Sequence, residues 1–209
     1  MLTQDNPRMR VAGLYFSSLH HSLGAEERIE IRHKLPGEGQ PMCKKFFANP
    51  AEAARYAVSR EGDEVYAGVA PRLGENGTKT GVTCLCALWA DYDLKHGHTR
   101  ESRLQQLMDL PYHHSILVWS GGGWHPYWLL KTPAEGSEEL ERAELIMQRL
   151  AEGLGGDPVH DHSRILRAPG TFNHKYREPR LSSLEHCDPE LRYGLDQLQE
   201  MTEALPKKT

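Results

Sequence analysis

The 209-residue chain has no apolar run approaching the ~18 residues that cross a bilayer, and its mean hydropathy is −0.63. A membrane is therefore not an expected partner. Its first residues, Met-Leu-Thr-Gln-Asp-Asn-Pro-Arg, lack the charged start, apolar middle and small-residue cleavage site of a secretory signal, so a cytoplasmic address is expected. Cysteine is scarce, with four at positions 43, 84, 86 and 187 and no Cys-x-x-Cys spacing. This argues against structural zinc. Cys84 and Cys86 fall on one face of an expected strand and read as buried reduced thiols. Nor is there the cationic excess of a protein that coats nucleic acid by bulk charge, since the formal net charge is −4. Internal repeats and low-complexity tracts are also missing.

What is present suffices for one globular unit: 38% of the residues are hydrophobic, enough for one core or two small packed modules. Charge is unevenly placed. Arg164, Arg167, Lys175, Arg177 and Arg180 stand against only Asp161 and Glu178, whereas the acidic run from Glu135 to Glu152 reads as the solvated face of a helix with Leu140, Ile146, Met147 and Leu150 inward.

Strands and helices alternate along the chain. The first thirty residues carry the weakest pattern. Glu30 to Lys34 alternates as a strand, and Asn49 followed by Pro50 predicts a helix running to Ser59. Strands are expected over Glu64 to Pro71 and, after a turn at Glu75-Asn76-Gly77-Thr78, over Val82 to Asp93. Thr99, or alternatively Ser102, caps a helix to Leu110. His114 to Trp119 and Trp124 to Leu130 form a hairpin around Ser120 to Gly123, and Ser137 caps a helix ending at Gly153 or Gly155. A late strand over Leu181 to His186 and a short helix after Asp188 complete the pattern, with Pro206 to Thr209 a polar tail leading toward a further domain.

Three segments carry chemistry. The first is the apolar strand Cys84 to Ala90 running into Asp91-Tyr92-Asp93. Residues two apart on a strand face the same way, so Asp91 and Asp93 look into one space while Tyr92 packs behind. Two carboxylates ~4 Å apart repel by about 4 kcal/mol at an effective dielectric of 20, which calls for a cation between them. Hard oxygen ligands favour Mg²⁺ or Mn²⁺, completed by phosphates and water. The second segment is Ser120-Gly121-Gly122-Gly123-Trp124-His125, where glycines permit close backbone approach to an anion, at Gly122 and Gly123 above all, and His125 supplies a donor from a strand edge. Trp124, Tyr127 and Trp128 read as core. The third is Asp161-His162-Ser163-Arg164 through Lys175, in which Asp161 provides a last carboxylate beside Arg164 and Arg167. Asp157 competes for that role but reads as a turn residue before Pro158, so Asp161 is preferred. A tight turn at Ala168-Pro169-Gly170-Thr171 returns the chain so that Asn173 and Lys175 meet Arg167 in one pocket.

In this order and at these separations, the three segments resemble the archaeo-eukaryotic primase superfamily, in particular the primase-polymerases of phages, plasmids and bacterial mobile elements. The resemblance covers about residues 63 to 186. It implies an α+β fold with an N-terminal αβ module, here residues 1–80, packed on an RRM-like module, residues 81–187, with the active site in the cleft between them and a helix and tail over 188–209. It further implies that Asp91, Asp93 and Asp161 bind two divalent ions, Mg²⁺ or Mn²⁺. Ser120 and His125 would contact the incoming NTP or dNTP, Arg167 and Lys175 its phosphates, with Arg164 and Asn173 beside them. Single-stranded DNA template and primer would be partners, with Arg177 and Arg180 on template phosphates and a replicative helicase domain or protein alongside. Two other classes compete. A two-histidine replication-initiator nuclease would use His160 and His162, with Tyr176 or Tyr193 as nucleophile. A non-catalytic RRM-like module would only bind single strands.

Overall fold

A computed structural model of the chain describes residues 6–94 and 97–205; the polar tail from Pro206 lies outside the described residues. The order of elements is α1 (Pro7–Leu19), β1 (Glu27–Lys34), β2 (Cys43–Phe47), α2 (Pro50–Ser59), β3 (Glu64–Gly68), β4 (Arg72–Leu73), β5 (Cys84–Trp89), β6 (Tyr92–Asp93) and α3 (Arg100–Met108). There follow β7 (Ile116–Trp119), β8 (Gly123–Glu135), α4 (Gly136–Leu154), β9 (Ile165–Arg167), β10 (Phe172–Asn173), β11 (Arg180–Leu181), β12 (Ser183–Cys187), β13 (Arg192–Tyr193) and α5 (Leu195–Glu203).

Local chemistry explains the helix starts. Asn49 Oδ1 accepts the Glu52 N–H at 2.9 Å with Pro50 in the first turn, as the sequence predicts. Thr99, rather than Ser102, caps α3, because the two form a reciprocal capping box. The next helix departs from expectation. It starts at Gly136 with Glu135 at the cap, not Ser137, and the Glu139 carboxylate accepts the Glu135 N–H at 2.9 Å. Its other end is the expected one, Gly155 in the left-handed region at φ 64°. The weakly patterned N-terminus holds α1, capped by Asn6, which buries Ala12, Tyr15, Phe16 and Leu19 along one face. Of these, a side chain the size of Phe16 or Leu19 contributes about 1.5–3 kcal/mol when taken from water.

Two sheets organise the chain. In the first, β2, β1, β3 and β9 lie side by side and antiparallel, with β4 also paired to β1. Its Ile29, Ile31, Val65 and Ala67 share a core with Ala53, Ala57 and Val58 of α2. In the second, β8 is central: β7 and β12 continue on one side, while β5, β6 and the parallel β13 also pair with β8. Helix α4 buries Leu140, Ala143, Ile146, Met147 and Leu150. Because β9 joins β3, the chain returns to the first sheet after building most of the second, so one cut near residue 80 does not separate them. All four cysteines are free, with Cys84 and Cys86 buried, and no helix among the described residues is long and apolar enough to cross a membrane.

Candidate active site

The expected strand from Val82 to Asp93 is interrupted. β5 and β6 both pair with β8, with Trp89 opposite Tyr127 and Asp93 opposite Gly123, and Asp91 between them forms a backbone bridge to Asp157. The Asp157 N–H donates to the Asp91 carbonyl at 2.9 Å. The close approach requires a glycine: a Cβ on Gly156 would fall 2.8 Å from that same carbonyl oxygen. The bridge brings the third segment to the first. Asp91 then lies opposite His125, whose Nε2 is 3.4 Å from Asp91 Oδ1.

The glycine turn locks the second segment onto both others. A Cβ on Gly123 would sit 2.6 Å from Asp93 Oδ1 and 2.7 Å from Asp93 Cα, so only glycine lets β8 approach the acidic strand this closely. A Cβ on Gly122 would meet the Tyr176 hydroxyl at 2.4 Å. Asn173 Nδ2 donates to Ser120 O at 2.8 Å, and Arg180 Nη1 to Gly121 O at 2.9 Å, with the Arg180 guanidinium 3.6 Å from the Tyr176 ring centroid. On the same face, the Tyr127 and Tyr15 hydroxyls meet at 3.1 Å. Burial, reinforced by Tyr15 and by the Asp91 charge, pushes the Tyr127 phenol well above its ordinary range, so this wall of the site stays neutral. Tyr92 points the other way, into the core, with its hydroxyl on Gln106.

No protein-family model matches the chain, and no curated protein sequence matches it. Solved structures similar to it include the AEP domain of the primase-polymerase of Cyanophage S-2L, 18% identical over 94% of this chain and 98% of that one, with a TM-score of 0.70. The catalytic domain of primase RepB' in complex with initiator DNA is 16% identical over 95% and 94% of the two chains, with a TM-score of 0.65. Primase RepB' itself matches over 94% of this chain and 62% of its own length, at 16% identity and a TM-score of 0.64. The chain has the archaeo-eukaryotic primase fold.

Within this primase fold the residues expected from sequence divide. Asp91, Asp93, Gly122, Gly123 and His125 come together as anticipated, but His125 does not reach out from a strand edge. It lies on the central strand, 4% exposed, with its Nε2 3.4 Å from Asp91 Oδ1, so its ring faces Asp91 from within the sheet. Ser120 is also turned to another use. Its hydroxyl donates to Gly123 O at 2.9 Å and accepts the Gly123 N–H at 3.0 Å, closing the turn rather than facing a ligand. Asp161 is paired with Arg164, at 2.7 Å, and accepts the Ser163 hydroxyl, at 2.8 Å, while the backbone of Asp157 lies beside that of Asp91. Arg167 is 6% exposed and paired with Glu64, 103 residues earlier in the chain, and it also donates to Phe172 O at 3.0 Å. Its charge is thereby neutralised within the protein. Lys175 is exposed and shares a cavity of about 450 Å³ with Arg167, whereas Asn173 is used to tie the turn. Arg177 is exposed, and Arg180 is stacked on Tyr176.

The donor set fits a hard divalent cation in part. Carboxylates such as Asp91 and Asp93 are the donors a hard cation takes, yet among the described residues no group of three or more acidic, histidine or cysteine side chains is placed to hold a metal ion. Mg²⁺ takes one or two carboxylates and completes its shell with phosphate and water, so the part of the set that fits is the Asp91 and Asp93 pair. For the nuclease alternative, the His162 ring lies against Glu144, whose Oε1 accepts the His162 backbone N–H at 3.0 Å, and Tyr193 is buried.

Proposed function

We propose that the protein is a metal-dependent primase-polymerase that extends a 3′-hydroxyl with NTP or dNTP on a single-stranded DNA template. The observation that carries this reading is Asp93 against the Gly123 turn and Asp91 facing His125, with the Asp157 backbone bridged to Asp91, in a fold shared with the named primases. Asp157 takes the place of Asp161 as third carboxylate. Two divalent ions, Mg²⁺ or Mn²⁺, held by these carboxylates would neutralise charge at the reacting phosphate and on the departing pyrophosphate.

The chain's own residues divide the remaining work. His125 holds the Asp91 carboxylate toward the site, and Gly123 lets Asp93 stand against the turn. Lys175 meets triphosphate oxygens, with Arg164 and Asn173 shaping the same loop and Arg167 bracing it through Glu64. Arg177 and Arg180 flank the turn where template phosphates would pass. A replicative helicase, as domain or partner, and a phage- or plasmid-related bacterial setting belong to the same reading.

Nucleotide incorporation on a single-stranded DNA template, primed and unprimed, with Mg²⁺ or Mn²⁺, tests it. Native protein should form metal-dependent products and an Asp91→Asn, Asp93→Asn double variant should not. Strand binding without turnover in any metal would instead identify a non-catalytic module.

A further inference from the structure

The strand registers of the first sheet place three cationic side chains and one aromatic in a row. Lys44 lies opposite Arg32, Arg32 opposite Tyr66, and Tyr66 opposite Arg167, so four directly paired positions on four neighbouring strands share one face. Ile29, Ile31, Val65 and Ala67 occupy the other face and belong to the core with α2. With strands ~4.8 Å apart the row is about 14 Å long. At ~3.4 Å per stacked nucleotide that covers about four nucleotides.

The charges on this face are positive in balance because its acids are already neutralised. Glu30 is paired with both Arg32 and Arg72, and Glu64 with Arg167. Lys34, Lys44 and Lys175 have no carboxylate partner among the described residues, and Lys34 Nζ donates only weakly, to Gly37 O at 3.3 Å. Lys34, Tyr66, Arg167, His174 and Lys175 line the cavity of about 450 Å³ together with Glu38 and Glu64, the latter held by Arg167. Tyr66 is half-buried, with the Arg167 guanidinium 4.9 Å from its ring centroid. From Arg167 the path continues through Phe172 and Asn173 to the glycine turn. Cations interleaved with an aromatic ring, on a face of a protein whose net charge is −4, are the arrangement that single strands use: phosphates on lysines, a base on the ring.

We infer that this face of the first sheet is a track for one nucleic-acid strand, with Lys34 and Lys44 on its phosphates and Tyr66 beneath a base. The inference rests on the primase reading and extends the strand from the glycine turn, where Arg180 donates to Gly121 O, out along the first sheet.

Fluorescence anisotropy of a labelled thymidine 20-mer over a salt series, without divalent ions or nucleotide, tests it. Lys34→Ala with Lys44→Ala should weaken binding at least tenfold and lower the salt slope by about 1.4, the value for two single-strand phosphates. Tyr66→Leu should weaken binding with the slope unchanged, and Lys131→Ala with Arg149→Ala should match native protein. Native-like binding by the Lys34, Lys44 variant, or an equal loss in the Lys131, Arg149 variant, would overturn the track. So would loss of nucleoside triphosphate affinity with strand affinity intact, which would give the cavity to the free nucleotide. The Asp91→Asn, Asp93→Asn variant should still bind the strand. If it loses turnover while the lysine variants bind normally, the primase reading survives and the track does not; if native protein binds no strand, both fall.

Discussion

Replacing Arg72 with methionine should destabilise the protein more than any surface charge change. Arg72 and Glu30 are both fully buried, their Nε and Oε2 atoms 2.8 Å apart. Arg72 also donates to Ser163 O at 2.8 Å, fixing the loop that runs from Asp157 into β9. Burial pulls its guanidinium below the ordinary range, with the Glu30 carboxylate opposing that shift. Removing one member of a buried pair leaves an uncompensated charge, which costs about 3–5 kcal/mol. Arg32, 2.7 Å from Glu30 but partly exposed, softens this toward the lower end. For a chain of this size each kcal/mol shifts Tm by ~2–4 °C, so a fall of about 6–20 °C is expected. Urea unfolding followed by circular dichroism measures the loss. Adding Glu30→Leu should recover part of it, since replacing both partners by apolar groups is close to neutral. A loss below about 1 kcal/mol for Arg72→Met, or a double variant as unstable as the sum of the singles, would refute the reasoning.

Gly123→Ala forces a Cβ against Asp93, so incorporation should fall at least tenfold and stability by about 1–3 kcal/mol, read by primer extension and urea unfolding. Asp157→Asn should lower incorporation about a hundredfold if it holds charge stabilisation of several kcal/mol. Asp161→Asn breaks only a partly exposed pair with Arg164, worth ~0–1 kcal/mol, and should stay within about threefold of native. Acid should destabilise the fold through two buried histidines. Burial lowers His20 to about 3, with the Arg72 charge adding, and His114 to about 4. Both are neutral when folded at pH 5, whereas the unfolded chain binds protons below pH ~6.5, so stability is full above that value and lost as pH falls toward the folded values. Because the unfolded histidines are already half protonated at pH ~6.5, two groups approaching ~1.4 kcal/mol per pH unit below it give a loss of about 3 kcal/mol between pH 6.5 and 5, and His20→Phe should remove about half of it.

What could be read from sequence was what local chemistry decides. The Asn49-Pro50 start, the Thr99 cap, the Gly155 end and the turn at Gly170, with φ +83°, each depend on a few adjacent residues. The order of the three segments was legible for the same reason. What depends on distant partners was not. Asp157 reads as a turn residue until Asp91, 66 positions earlier, is seen to accept its N–H; the glycine before it was the available signal. His125 reads as an edge residue until β5 and β7 are found on either side of its strand. Arg167 reads as a phosphate ligand until Glu64 is placed beside it. Strand β2 escaped notice because Cys43 to Lys45 are exposed, as an edge strand allows, and so show no apolar alternation.

The central claim is that Asp91 and Asp93 hold a divalent ion for chemistry on a nucleotide. Anomalous diffraction from crystals carrying Mn²⁺ and a non-hydrolysable nucleoside triphosphate measures this directly. The account predicts a manganese peak between the Asp91 and Asp93 carboxylates, beside Asp157 and against the triphosphate. Bound nucleotide with manganese elsewhere, at His160 and His162 for example, or with none at all, would contradict it.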